Sequence, residues 1–268
     1  MIDALALNEA VLRIGFFVGI FALMASWEAL APMRQRGISR GLRWSNNLAL
    51  VALDSVIVRL VFPVTAVNFA ALAAEREWGL INLLGLPFWP ALIVSLLLLD
   101  LIIYLQHRLF HTVPLLWRLH RVHHADTEFD VTTALRFHPL EMLVSMGLKL
   151  AAIAALGAPA QAVLVFEVVL NGAAMFNHAN VALPPKVERM LRLVFVTPDM
   201  HRIHHSTRTE EMNRNFGFNL AWWDRLLGSY CPRPQQDPRA MPIGLDQFRT
   251  QRDLWLDWML LQPLRDKP

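Results

Sequence analysis

The chain has 268 residues, 55% of them hydrophobic, and its mean hydropathy of +0.36 is too high for an ordinary soluble globular protein. The net charge is only +3 at pH 7, so the composition does not indicate a nucleic-acid partner. Cys231 is the single cysteine, which excludes an internal disulfide and a cysteine-based metal motif. These properties indicate a helical protein embedded in a bilayer.

Two apolar segments near the N-terminus have the length of membrane spans. The first covers about residues 10–30, enough to cross a hydrocarbon core of about 30 Å at about 1.5 Å per residue. The second covers about residues 47–69 and contains Asp54 and Arg59. Charged groups at this depth are costly unless they face protein or water. We therefore expect Asp54 and Arg59 to be packed as mutual structural partners.

Three further membrane helices are predicted after an interfacial connector at residues 70–90. One covers about residues 91–109, and a break at Gly157-Ala-Pro159 divides a later apolar region into helices of about 139–156 and 159–176. The predicted fold class is therefore all-α, an integral membrane bundle of about four or five transmembrane or re-entrant helices.

Histidines are concentrated at the end of the third span. Five of the ten histidines lie between positions 107 and 124, and the pattern His-Arg-[Val/Ile]-His-His occurs at 120–124 and again at 201–205. Residues three or four apart share a helical face, so each cluster can direct its imidazoles at one point. Without a nearby cysteine, such groups favour a borderline metal bound by nitrogen. The candidate ligands are too many for one four-coordinate ion and suit two, and they are His107, His111, His120, His123, His124, His201, His204 and His205.

Asp100 lies on the same helical face as His107 and His111, at spacings of seven and eleven residues. Metal-bound imidazoles commonly donate their second N–H to a carboxylate. We therefore expect Asp100 to support the metal site by accepting such a hydrogen bond, although a helix-packing role for this residue stays open.

The arginine distribution predicts the orientation in the membrane. Residues 32–43 form a predicted loop with four arginines, whereas the opposite side shows only Arg76. The positive-inside rule then places the histidines in a helical cap on the cytoplasmic side of a multi-pass protein, in a bacterial inner membrane. A C-terminal amphipathic helix is predicted at about residues 245–261, where it would lie on the membrane surface.

Three histidine boxes in this order resemble those of the membrane fatty acid hydroxylase/sterol desaturase superfamily. The resemblance covers about residues 90–232, and this gives three predicted parts: N-terminal membrane helices and connector at 1–89, a catalytic domain at 90–232 and a tail at 233–268. The motifs that carry the resemblance are His107-x3-His111, His120-x2-His123-His124, His201-x2-His204-His205, Thr133-Ala-Leu-Arg136-Phe-His138-Pro139-x-Glu141, Asn177-His178-Ala-Asn180, and Asn215-Phe-Gly followed by Trp223-Asp224.

The resemblance implies a membrane-bound non-haem di-iron enzyme. Such an enzyme uses O₂ and two electrons to hydroxylate or desaturate a lipid, for example a fatty acyl chain or a sterol. The eight box histidines then become iron ligands, and His138 and His178 match additional histidines that serve as ligands or support them. Electrons would come from a separate ferredoxin or cytochrome b5-like protein with its reductase.

Two other classes of protein stay open at this point. A non-catalytic haem or metal carrier would use paired histidines, but it leaves the doubled His-x-x-His-His pattern unexplained. A zinc-dependent membrane hydrolase would need a general base near a box, and the sequence offers no clear candidate.

Overall fold

The computed structural model describes the backbone of residues 2–265 and the side chains of residues 9–265. Within this part of the chain the structure is all-helical, with two isolated β-bridges and no strand, which confirms the predicted fold class. Five helical segments have the length and composition to cross a membrane, which indicates a multi-pass membrane protein. These segments are Glu9–Leu30, Arg40–Leu83, Phe88–Thr112, Pro139–Leu156 and Ala160–Asn177.

The helices are numbered in chain order. They are α1 (Ile2–Leu30), α2 (Arg40–Val61), α3 (Ala66–Glu75), α4 (Leu80–Leu83), α5 (Phe88–Thr112), α6 (Pro114–His124), α7 (Pro139–Leu156), α8 (Ala160–Asn177), α9 (Pro185–Leu191), α10 (Pro198–His204), α11 (Thr209–Met212), α12 (Trp222–Leu226) and α13 (Leu256–Leu261). Short 3-10 turns lie at Thr133–Leu135, Gln251–Leu254 and Gln262–Leu264.

The bundle is built around α8, which packs against α1, α3 and α5 in the apolar layer and against α10 at the histidine end. Its core contains Leu99 of α5, Ile153 of α7 and Phe166 of α8, all nearly inaccessible to solvent. Gly157 ends α7 with a φ of +68°, a conformation that favours glycine. The predicted division of this apolar region into two helices at Gly157 is therefore confirmed, and α3 packs against both of them.

The second apolar segment differs from its prediction at both ends. The helix begins at Arg40 and ends at Val61, where a single span of 47–69 was expected. Pro63 lies in the break that follows, because a proline lacks the backbone N–H that a continuing helix needs. Thr65 then caps α3, its hydroxyl accepting a hydrogen bond from the backbone N–H of Asn68.

The early start of α2 buries Arg43 in an ion network. Its guanidinium donates to Asp126 at 2.7 and 2.9 Å and to Asp130 at 2.6 Å. Burial would raise the pKa of the Asp130 carboxyl, but the Arg43 charge holds that pKa at about 2. The prediction that residues 32–43 form a loop is therefore wrong at its end, since Arg40 and Arg43 belong to α2 and Arg43 ties this helix to the loop after α6.

The C-terminal segment packs on the protein instead of forming the predicted surface helix over residues 245–261. Only Leu256–Leu261 is α-helical. Met259 is fully buried against Leu50 of α2 and Val122 of α6, and Phe248 is also buried. This segment therefore covers the histidine end of the bundle.

Replacing Arg43 by Met should strongly destabilise the fold, because Asp126 and Asp130 would stay buried without their cation. We expect the free energy of unfolding to fall by about 3–5 kcal/mol, measured by thermal or denaturant unfolding in detergent. Arg189→Met, at an exposed site on α9, is the control and should cost less than about 0.5 kcal/mol. Equal stability of the two variants would contradict the structural role of the network.

Candidate metal centre

Nine of the ten histidines meet in two adjacent groups at the end of the bundle where α5, α6, α8 and α10 converge. Within each group one ring nitrogen of every histidine lies within 4.8 Å of the others. The first group contains His107, His111, His120, His124 and His204, and the second contains His123, His178, His201 and His205.

Each His-x-x-His-His box contributes to both groups. In the α6 box the first and last histidines, His120 and His124, belong to the first group and His123 belongs to the second. In the α10 box the assignment is exchanged, because His201 and His205 belong to the second group and His204 belongs to the first. Residues four apart share a helical face, whereas adjacent residues point about 100° apart. The doubled motif thus joins two sites across two short helices.

The Nε2 atoms of the first group converge around His107. The distance from His107 Nε2 is 3.1 Å to His120 Nε2 and 3.0 Å to His204 Nε2. Metal–nitrogen bonds of about 2.0–2.1 Å place neighbouring ligands of one ion about 3 Å apart. The buried Nε2 atoms of His111 and His124 have no hydrogen-bond partner among the described residues, so their lone pairs are free to bind a metal.

The second group has the same spacing around His178, which follows α8 directly. Its Nε2 atom lies 3.1 Å from that of His123, 3.0 Å from that of His201 and 3.2 Å from that of His205. All four residues are essentially inaccessible to solvent. This arrangement fits a second metal ion beside the first.

Five of the nine grouped histidines have their Nδ1 atom within hydrogen-bond distance of an oxygen acceptor. With Nδ1 protonated and donating to such an acceptor, Nε2 keeps its lone pair and the ring is fixed in orientation. The pairs are His107 Nδ1 with Phe216 O at 2.7 Å, His178 Nδ1 with Ala174 O at 2.7 Å, His204 Nδ1 with Arg214 O at 2.8 Å, His111 Nδ1 with Asn213 Oδ1 at 3.3 Å, and His120 Nδ1 with Glu141 Oε1 at 2.7 Å.

Burial keeps the imidazoles of the cap neutral. It lowers the pKa of His120 to about 3 and that of His178 to about 4. The pKa of His123 and that of His205 fall well below the ordinary value, through burial and then through the neighbouring imidazoles. Neutral rings have the free lone pair that a metal requires, so the donor set fits metal ions bound by nitrogen.

His138 lies outside both groups, which corrects its prediction as a ligand. Its Nδ1 accepts a hydrogen bond from the backbone N–H of Leu140 at 3.1 Å, so the residue caps α7. Its Nε2 lies 3.2 Å from the carbonyl oxygen of Leu260. Both nitrogens are thus engaged by the backbone, and only His178 of the two additional histidines joins a group.

Asp100 does not contact an imidazole, which corrects the expectation that it accepts from one. Its carboxylate accepts hydrogen bonds from Asn219 Nδ2 at 2.8 Å, Trp223 Nε1 at 2.8 Å and the backbone N–H of Leu220 at 3.2 Å. These residues belong to the segment that carries Phe216, the acceptor for His107. Asp100 therefore positions the segment and not the ring.

The carboxylate that does contact a candidate ligand is Glu141, which the sequence presents only as part of a family motif and not as a predicted site residue. It lies in the first turn of α7, three residues after His138, and is buried. Its place beside a histidine in an otherwise apolar segment was a usable signal. The backbone carbonyl acceptors, in contrast, could not be predicted from the sequence, because every residue type has such a carbonyl.

Two cavities have wall residues that belong to the centre or lie next to it in the chain. The larger, about 690 Å³, lies between α1, α2, α3, α7 and α8, and its wall includes Met142, next to Glu141. The smaller, about 250 Å³, opens to the surface beside His111 and is flanked by Arg108 and Arg214. The first is within the membrane bundle and the second is in the cap.

Comparison with known proteins identifies the family. Residues 92–229, just over half of the chain, match the family described as fatty acid hydroxylase. The chain therefore belongs to the fatty acid hydroxylase family, which confirms the resemblance of the histidine boxes.

The relatives are enzymes that oxidise lipids. The chain is 28% identical to ornithine lipid hydroxylase OlsE of Rhizobium tropici, over 85% of this chain and 69% of that one. It is 29% identical to cholesterol 25-hydroxylase of Homo sapiens, over 85% and 88%. It is 28% identical to alkylglycerol monooxygenase of Danio rerio, over 62% of this chain but only 37% of that protein's length. No solved structure matches. Family membership makes the chain an oxidoreductase.

The two additional histidines allow a direct test of the two groups. We expect His178→Ala to lose about one metal ion per chain, because the Nε2 atom at the centre of the second group is removed. His138→Ala should keep both ions, since neither of its nitrogens faces a group. The measurement is metal content per chain by elemental analysis, and loss of metal from His138→Ala alone would reverse the assignment.

Proposed function

We propose that this protein is a membrane-bound di-iron oxygenase that uses O₂ and two electrons to hydroxylate an aliphatic C–H bond of a lipid. The observation that carries the proposal is the pair of adjacent all-histidine groups in a member of a lipid hydroxylase family. Imidazole ligands suit iron. Each of the two groups contains only histidines, and the groups are adjacent, so they can hold two ions side by side.

The nine grouped histidines would hold the two ions, and iron bound there would supply the redox chemistry that O₂ needs to attack an unactivated C–H bond. Glu141 keeps the His120 ring oriented by accepting its Nδ1–H at 2.7 Å. Asp100 and Asp224 hold the segment that presents the Phe216 carbonyl to His107. Burial of the rings keeps bulk water away from the reacting position.

The larger cavity is the proposed lipid site. It lies between helices that cross the apolar layer and reaches Met142 beside the metal centre, so a lipid can enter it from the bilayer. By their names, the relatives act on an ornithine lipid, cholesterol and alkylglycerol, which are chemically unlike. Their names therefore support an amphipathic lipid substrate as a class and do not select one.

The smaller opening is the proposed docking point of the electron donor. His111 of the first group is half-buried at its base, and Arg108 and Arg214 flank it. Basic side chains attract the acidic surfaces typical of small electron carriers. We propose a separate acidic ferredoxin or cytochrome b5-like protein, with its reductase, as the partner at this opening.

The proposed orientation places the histidine cap in the cytoplasm of a bacterial inner membrane. Arg34 and Arg36 remain in the loop on the histidine side, and Arg76 lies on the opposite side after α3. Electron carriers and their reductases are then available on the side where the donor opening lies.

The geometry disfavours a haem carrier. Two imidazoles on opposite faces of a haem iron place their nitrogens about 4 Å apart with the porphyrin between them. The Nε2 atoms around His107 and His178 are 3.0–3.2 Å apart and surrounded by further rings. Such spacing suits ligands of one bare ion.

Lipid profiling of cells with and without the gene tests the reaction. We expect a lipid one oxygen atom heavier than its precursor, with the added atom labelled when the cells are grown under ¹⁸O₂. His204→Ala should abolish the product, because a nitrogen of the first group is lost. A product that lacks two hydrogen atoms would replace hydroxylation by desaturation, and an unchanged lipid profile would contradict both.

Charge reversal at the opening tests the donor site. We expect Arg108→Glu to lower turnover with an acidic carrier by about tenfold, because the attraction that guides docking becomes repulsion. A single turnover should be unchanged when the protein is first reduced with stoichiometric dithionite in the absence of O₂ and is then mixed with O₂. Arg189→Glu is the matched control, since it reverses an exposed arginine on α9, away from the opening. Equal loss with both reductants would show damage to the site and contradict docking.

A further inference from the structure

The larger cavity contains charged side chains within the membrane bundle, and most of them neutralise one another. Arg13 of α1 donates to Glu9 at 3.0 Å and to Glu167 of α8 at 2.8 Å. Lys149 of α7 donates to the same Glu167 at 2.6 Å. Two cations and two carboxylates therefore form one closed cluster at this wall of the cavity.

Asp54 of α2 also lines the cavity and has no such partner. The residue is 2% exposed, and its buried Oδ1 atom makes no hydrogen bond with any described group. Arg59 lines the same cavity, but it lies five residues and about 7.5 Å further along α2, away from the histidine end at which this helix begins. No ion pair joins these two residues, and the expectation that they are mutual partners is wrong. A buried carboxylate without a partner is costly, and this one is complementary to a cation.

Asp54 lies at the end of the cavity nearest the metal centre. One turn before it, about 6 Å along the helix, Leu50 packs against Val122, the neighbour of His123 in α6. The unpaired carboxyl group of Asp54 therefore favours a cationic group at this end of the cavity, beside the reaction centre.

We propose that Asp54 binds the ammonium group of the substrate, and that the substrate is an amino lipid. This inference rests on the proposed function, because it takes the cavity to be the lipid site. The cavity wall also contains Phe17, Phe62 and Leu170, which suit the alkyl part of such a molecule. A divalent metal ion is a poorer occupant, since hard cations require about six oxygen ligands and Asp54 is the one unpaired carboxylate among the described residues that line the cavity.

Binding of a matched pair of probes tests this inference. The probes are N-palmitoyl putrescine, which carries one ammonium group, and its N-acetylated form, in which that group is a neutral amide. Affinity is measured by isothermal titration calorimetry on the metal-loaded full-length protein in lipid nanodiscs, without reductant. We expect the wild type to bind the ammonium probe at least about tenfold more tightly than the acetylated probe.

Variants then assign the discrimination to Asp54. Asp54→Asn should bind both probes alike, and Asp54→Glu, which keeps the charge, should retain part of the preference. Glu75→Gln, which removes an exposed carboxylate at the far end of α3, should behave as the wild type. Iron content and circular dichroism report whether each variant is folded.

Equal affinity of the wild type for both probes, or an unchanged preference in Asp54→Asn, would overturn the inference, as would failure of the wild type to bind either. Because the titration requires no turnover, these outcomes leave the proposed hydroxylation intact. Absence of any oxygenated lipid in the cellular assay would instead refute the hydroxylation while the titration still reports on Asp54.

Discussion

The convergence of neutral imidazole nitrogens, about 3 Å apart in two adjacent groups, is the constraint on which the rest of this structure depends. Nine rings from α5, α6, α10 and the end of α8 approach closely enough to share two ions. Rings packed at this distance repel one another when protonated, so the site requires burial that keeps them neutral. The low pKa values of His120 and His178 are the expression of that burial. A metal ion bound in each group would satisfy nitrogen lone pairs that otherwise face other nitrogen lone pairs.

Much of the polar structure around the groups serves to fix these rings. Carbonyl oxygens of Phe216, Arg214 and Ala174 hold the Nδ1 atoms of three rings, and these carbonyls need fixed positions in turn. Asp224 accepts hydrogen bonds from the backbone N–H of Phe216 at 2.8 Å and of the next residue at 2.9 Å, and Asp100 holds the same segment further on. The aspartates therefore act on the metal centre through the backbone, and their cost of burial is offset by several donors each.

The sequence predicted the elements whose signal is periodic or repeated. Apolar length gave the membrane helices, and the spacing of the histidine boxes gave eight of the nine grouped histidines. Only the family resemblance selected His178 and His138. His178 joins the second group, whereas the nitrogens of His138 contact the backbone of α7 and of the C-terminal segment. Asp100 lies on the same face of α5 as the histidines, but a shared face does not establish which side chain the carboxylate contacts. Its partners are Asn219 and Trp223. Arg43 and Glu141 were not selected, because their partners are distant in the chain and tertiary packing alone brings them together.

We propose that histidine nitrogens are the only ligands that this chain supplies to two iron ions. Iron X-ray absorption spectroscopy on the purified protein, combined with metal analysis, measures both the ligands and the number of ions. We expect about two irons per chain, a first shell dominated by nitrogen at about 2.0–2.2 Å and the multiple-scattering pattern of imidazole. A single iron per chain, a sulfur shell or a spectrum without imidazole scattering would contradict it.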